Sequence, residues 1–206
     1  MTHRPYTPPA WQSKPLSDGR VTLLVVPLKV QPDERRISEA CEIESGAWAW
    51  RNGHDGSLEG RVNLPYAPGD LIWCRETYIG PYAYEVNEYK PKDWGNKPIW
   101  FPADGPIPER FVGQFWHKAR SPVTMPKWAA RTWLRCTGVE VRRVQTISED
   151  EAHRAGYEFT GMSPTGDDYL GSAICGPWGF AEGFPNYYAD PWCAFVAVER
   201  ISKEDV

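Results

Sequence analysis

Arg75 and Glu76 follow the apolar run Leu71-Ile72-Trp73-Cys74, so a charged couple sits at the end of a strand-like segment. A guanidinium there can fork onto a phosphate or a base edge, and a carboxylate can accept from a base or ribose donor. Period-two alternation puts Trp73 and Arg75 on one face and Cys74 and Glu76 on the other. The two charges therefore share a pocket only if the strand bends. The plainer alternative is a structural ion pair with groups outside the strand. Lys127, Trp128 and Arg131 form a second cluster. Trp128 offers a π-face on which a base can stack, worth ~1–3 kcal/mol, and the two cations suit a phosphate. The plainer alternative is a loop clamp whose indole plugs the end of a core. Trp116 and His117, together with Trp178 in the aromatic-rich stretch 176–188, are read as a lid over such a site. That stretch equally suits a loop packed back on the body of the fold.

No cofactor or metal is expected. The four His and five Cys show neither C-x-x-C nor any other ligand spacing. The odd number of Cys reads as reduced thiols in a cytoplasmic chain. The N-terminus has no signal-peptide core and no run of 18 apolar residues occurs, so no membrane span is expected. The net charge of −4 excludes a basic surface tiling long duplex DNA, because such binding rests on many phosphate contacts. A pocket or platform for one base stays open.

The elements that must position these groups follow from composition and patterning. Twenty Pro in 206 residues is about twice the usual ~5% share and argues against a helical bundle. Residues 1–18 are Pro-rich and polar and read as an N-terminal arm. Arg20 to Val30 is a β-branched strand that Pro27 makes an edge or an end. Residues 33–60 are expected to be an insertion with one hairpin near Asn52-Gly53. Pro68-Gly69-Asp70 is a turn, and Leu71 to Tyr78 a strand. Residues 79–122 hold seven Pro and read as a looped insertion. Thr132 to Val144 is the longest strand, with Arg142-Arg143 interrupting its alternation as a bulge would. Ser148 to Glu151 is a capping box opening a helix that closes at Gly156. Residues 157–189 form a third looped insertion, and Trp192 to Ile201 a last strand. The whole predicts a mostly β (α+β) antiparallel barrel with one or two short helices and long loops, a single domain over 19–206.

Three segments carry a resemblance. Pro68-Gly69-Asp70-Leu71-Ile72-Trp73-Cys74-Arg75-Glu76-Thr77 looks like a strand written PGDxLWVRExW. Met125-Pro126-Lys127-Trp128-Ala129-Ala130-Arg131, with Gln145 to Ala152 after the intervening strand, looks like a block written HMPRWASR…LQDISEEDA. Asp190-Pro191-Trp192 and its strand look like an ending written NPWVWVxxF. Together they resemble ASCH-like proteins of the PUA-like superfamily, in the version common in bacteriophage and prophage genomes. The match covers about 19–32 and 66–201, apart from loops. It implies a PUA-like barrel with an internal cleft, linked to RNA, modified bases or nucleotides.

One branch of that family hydrolyses acetylated cytidine with a Lys and a Thr from a G-x-K-T-x-T-x-R strand and a Glu near the end of the following helix. Here those positions fall on Val21, Leu24 and Ala155, none of which can ionise, attack or relay a proton. The first expectation is therefore a non-catalytic module that holds a nucleobase, nucleotide, modified nucleoside or single-stranded RNA in an aromatic-lined barrel cleft. Trp73, Arg75, Glu76, Lys127, Trp128 and Arg131 would line it. A second is a nucleoside amidohydrolase-like enzyme using other residues, such as Glu76 with Lys127. A third is a phage anti-defence factor that sequesters a signalling nucleotide or blocks a host protein.

Overall fold

The computed structural model describes residues 2–33, 36–44, 46–81, 94, 98–109, 119–157 and 190–205. The strands are β1 (His3–Tyr6), β2 (Leu23–Pro27), β3 (Ile37–Glu44), β4 (Ala47–Asn52), β5 (Leu58–Arg61), β6 (Leu71–Cys74), β7 (Trp133–Arg143) and β8 (Trp192–Ile201). The helices are α1 (Ala10–Ser17) and α2 (Glu149–Arg154). Five strands form one sheet in the order β1-β6-β7-β8-β2, and the meander β3-β4-β5 forms a second. The protein is thus β-rich with two helices among the described residues.

The expected closed, antiparallel barrel is not what these residues form. The five-stranded sheet is open, with β1 and β2 at its edges, and β1 runs parallel to β6. The reason lies in β6. It is four residues long and on its β7 side pairs with Trp133, Leu134 and Arg135, so among the described residues no strand pairs with the later half of β7 on that side. The predicted strand to Tyr78 stops at Cys74. The Arg75 amide donates instead to the Tyr6 carbonyl at 2.7 Å, and Tyr78 and Ile79 return only as isolated bridges to Arg120 and Trp100.

Residues 1–18 are a further correction. They are not a detached arm, because His3–Tyr6 joins the sheet and α1 buries Gln12, Ser13, Pro15 and Leu16. Pro5 is tolerated on an edge strand, where a missing donor costs little. Asp70 ties this segment down, pairing with Arg4 at 3.0 Å and accepting from the Thr2 hydroxyl and, at 3.1 Å, the Ala67 amide. Within 33–60 the Asn52-Gly53 turn is found, with a second hairpin before it.

The register shift in β7 lies between Cys136 and Gly138, not at Arg142-Arg143. Gly138 has no Cβ to misdirect. The two Arg keep the alternation: Arg142 lies over the Phe195 ring on one face, and Arg143 lies over Trp192 on the other. Three apolar clusters hold the elements. Leu24, Ile72, Leu134, Val139, Val141, Ala194 and Val196 meet Trp50 and Val62 of the meander region. Leu23, Val25, Cys193 and Phe195 pack on Ile147, Ala152 and Ala155. Tyr78, Trp94, Phe101, Met125, Ala130 and Trp133 fill the end near β6. Cys41, Cys74, Cys136 and Cys193 are free thiols, and burial pushes Cys193 up to about 12.

Candidate functional site

The segment from Ser121 to Arg131 is built from two single 3-10 turns, Pro122–Thr124 and Lys127–Ala129. Pro122 and Pro126 supply preset φ angles that open them. Met125, Ala129 and Ala130 turn inward and are buried, which leaves Val123, Lys127 and Trp128 on the outside. Trp128 is 41% exposed. The other eight described Trp are buried or half-buried. Its ring meets buried Trp94 in a T-shaped contact at 6.5 Å, which occupies at most one of its faces. Two ammonium groups belong to the same surface. Lys203 Nζ donates to the Trp128 carbonyl at 2.6 Å, and Lys127 Nζ lies beside His3 Nδ1 and 5.4 Å from the Trp133 ring centre.

Behind this surface sits Glu76, 1% exposed. Arg131 forks onto it, with Nε donating at 3.0 Å and Nη2 at 2.7 Å. The third guanidinium nitrogen pairs with Asp104, and the plane lies 4.1 Å from the Phe101 ring centre. Burial works against the Arg131 charge, but the Glu76 and Asp104 carboxylates outweigh it, so the guanidinium holds its proton more tightly than usual. The Glu76 amide donates to Met125 Sδ at 3.2 Å. Glu76 is therefore a buried anchor for the 121–131 segment, and both carboxylate oxygens are occupied. The pairing with Lys127 that a Glu76-based hydrolase would need is replaced by the pairing with Arg131.

The structure thus joins Glu76 to Arg131, and places Lys127 and Trp128 on the surface that this pair fixes. Trp73 and Arg75 form a separate couple. Trp73 pairs across the sheet with Trp133, and the Arg75 guanidinium lies 5.8 Å from the Trp73 ring centre. The lid residues Trp116, His117 and Trp178 lie outside the described residues. His3, Asp104 and Lys203 were not legible as site neighbours, because nothing in their local sequence signals contact with residues 127–131.

The three positions at which the sequence resemblance leads one to expect a Lys, a Thr and a Glu are sealed. Val21, Leu24 and Ala155 are 2%, 0% and 0% exposed. Leu24 belongs to the central cluster, and the Ala155 carbonyl accepts from Gln12 Nε2 at 2.7 Å.

Three clefts are formed by described residues, of about 690, 490 and 200 Å³. Ala40, Trp48, Val139, Arg142 and Arg154 are among those lining the first, Arg4, Leu28 and Tyr66 the second, and Arg61 and Val62 the third. None of the six residues nominated from the sequence lines any of them. No helix among the described residues is long and apolar enough to cross a membrane, and no group of three or more His, Cys, Asp or Glu could hold a metal ion there.

Comparison with known proteins adds no relative. The chain matches no protein-family model, no curated protein and no solved structure.

Proposed function

We propose that this chain is a non-catalytic binding module for a nucleotide or the end of a single-stranded RNA, with one base stacked on Trp128 and phosphates held by Lys127 and Lys203. The observation that carries this reading is the exposure of Trp128, with Lys127 beside it in the chain and Lys203 bound to its carbonyl, on a segment anchored by the buried Glu76–Arg131 pair. A stacked base gains ~1–3 kcal/mol and any base supplies a π-face, so recognition is tolerant of sequence. The resemblance to ASCH-like proteins supports the ligand class. The apolar residues at Val21, Leu24 and Ala155 support binding without that family's hydrolysis.

The site differs from the one expected of a barrel. It is a surface platform rather than an internal cleft, and Arg75 belongs to Trp73 rather than to Trp128. Titration of mononucleotides and short RNA oligomers, followed by tryptophan fluorescence and calorimetry, tests the reading. Saturable binding is expected, weakened about 5- to 150-fold by Trp128→Ala. Lys127→Ala is expected to weaken it more than Arg75→Ala. An unchanged affinity in Trp128→Ala removes the stacking platform from the account.

A further inference from the structure

Two of the three clefts adjoin, because Arg4, Leu64 and Tyr66 line both the 490 Å³ and the 200 Å³ space. The larger lies where both edge strands of the five-stranded sheet contribute, Arg4 and Pro5 from β1 and Val26 and Pro27 from β2. The smaller continues from it along the meander and takes in Arg61, Val62 and Trp48. The floor is apolar. Leu28 and Tyr66 are buried, and Val26, Leu64 and Trp48 are half-buried against the main cluster. A volume of 490 Å³ falls within the range of about 300–1,000 Å³ usual for ligand sites.

The charges in these walls have one sign. Lys29 lines the larger cleft, Arg61 the smaller and Arg4 both, and among the described residues no Asp or Glu lines either. The chain carries a net charge of −4, so this segregation is local. The 690 Å³ cleft, by contrast, has Glu42, Glu140 and Glu151 in its walls. Arg4 pairs with Asp70 at 3.0 Å. Lys29 and Arg61 are exposed, and neither makes an ion pair or a side-chain hydrogen bond among the described residues. The turn that carries Lys29 is braced. The Gln31 side-chain amide donates to the Leu28 carbonyl at 2.8 Å and to the Trp192 carbonyl at 3.1 Å, and it accepts from the Trp192 amide at 2.8 Å. This brace leaves Lys29 and Val30 outward, with Val30 68% exposed.

Three cations spread along an apolar groove suit a ligand that carries several anions with apolar groups between them. Nucleic acid fits these walls less well, because base stacking needs an open ring face. Tyr66 is 6% exposed and Trp48 is half-buried, so neither ring stands out as Trp128 does. Pro5 and Pro27 carry no N–H, so a strand laid along either edge finds no donor at those positions. Side chains must hold the occupant.

We propose that the two adjoining clefts dock an acidic, apolar peptide segment of a partner protein. Its carboxylates meet Lys29, Arg4 and Arg61, and its aliphatic side chains cover Val26, Leu28 and Leu64. The charges steer the encounter and fix the orientation of the segment, and burial of the aliphatic groups holds it. The proposal is independent of the Trp128 surface, with which the groove shares no lining residue.

The test uses the full chain and fluorescein-labelled dodecapeptides of glutamate and leucine in varied order. Matched peptides replace every glutamate by glutamine or every leucine by serine. Anisotropy titration is expected to show saturable binding of a Glu–Leu peptide, weakened about tenfold or more by either replacement. K29E and R61E change exposed side chains that have no partner among the described residues, so both are expected to fold. Each is expected to weaken the Glu–Leu peptide about tenfold. R154E, at the 690 Å³ cleft, makes the same change of net charge and is expected to leave the affinity unchanged. Absence of binding across the panel overturns the proposal. So does an equal loss in R154E, which would make net charge the cause. Displacement of the peptide by a short single-stranded RNA also overturns it, because the groove would then be a nucleic-acid surface.

Discussion

Glu76 shows how a residue that reads as a binding group becomes a structural one. Alternation placed it on the face opposite Trp73 and Arg75, and on that face it met Arg131 instead of solvent. A buried carboxylate left without its guanidinium is costly, so Arg131→Ala is expected to destabilise the protein by about 3–5 kcal/mol in urea denaturation. Arg131→Lys, which keeps the charge and loses the fork, is expected to cost less. Acid sensitivity is expected from carboxylates that the fold holds low, Asp70 and Glu151 among them. Burial opposes ionisation of Asp70, yet the Thr2 hydroxyl, the Ala67 amide and Arg4 hold it below the usual carboxylate range. Glu151 is held low in the same way by the Ser148 amide and Arg142. A depressed folded-state value contributes stability that is full above the unfolded value and is lost as pH falls through the folded one. Melting temperature is therefore expected to decline below about pH 4, and Asp70→Asn to flatten part of that decline. The pairing of Glu76 with Arg131 was not legible, because 55 positions separate the two and no local spacing joins them.

Short elements with strong local chemistry were the most legible. The Ser148 capping box is present, with the Ser148 side chain accepting from the Glu151 amide and the Glu151 side chain accepting from the Ser148 amide. Ser148→Ala is expected to cost about 1 kcal/mol in equilibrium unfolding. Gly156 closes the helix region at φ 90°, where a Cβ would meet Pro15 and Val21 carbons at 2.8 Å. Gly156→Ala is therefore expected to be worse than the cap mutant, by strain and by displacement of α1, and the same unfolding series compares the two. β8 and β7 fell close to their predicted limits because their apolar runs are long. The N-terminal strand and helix were missed because Pro5, Pro8, Pro9 and Pro15 mask them. Their stability comes from burial of Leu16 and from bonds to Tyr66, Asp70 and Ala155, all distant in sequence.

At the scale of the molecule, β content was legible from composition and strand patterning, whereas closure of the sheet was not. Closure depends on whether β6 spans β7, and β6 leaves the ladder at Arg75 for reasons of tertiary pairing. The net charge of −4 also acts at this scale. With Lys127 and Lys203 holding two phosphates, RNA affinity is expected to depend shallowly on salt, with a log–log slope of about −1.4. The most direct test of the account is the affinity of a short single-stranded RNA for the wild-type chain and for Trp128→Ala, measured side by side by calorimetry. The account predicts saturable one-site binding by the wild type and a loss of about 5- to 150-fold in the variant. Equal affinities, or no binding by either protein, would contradict it.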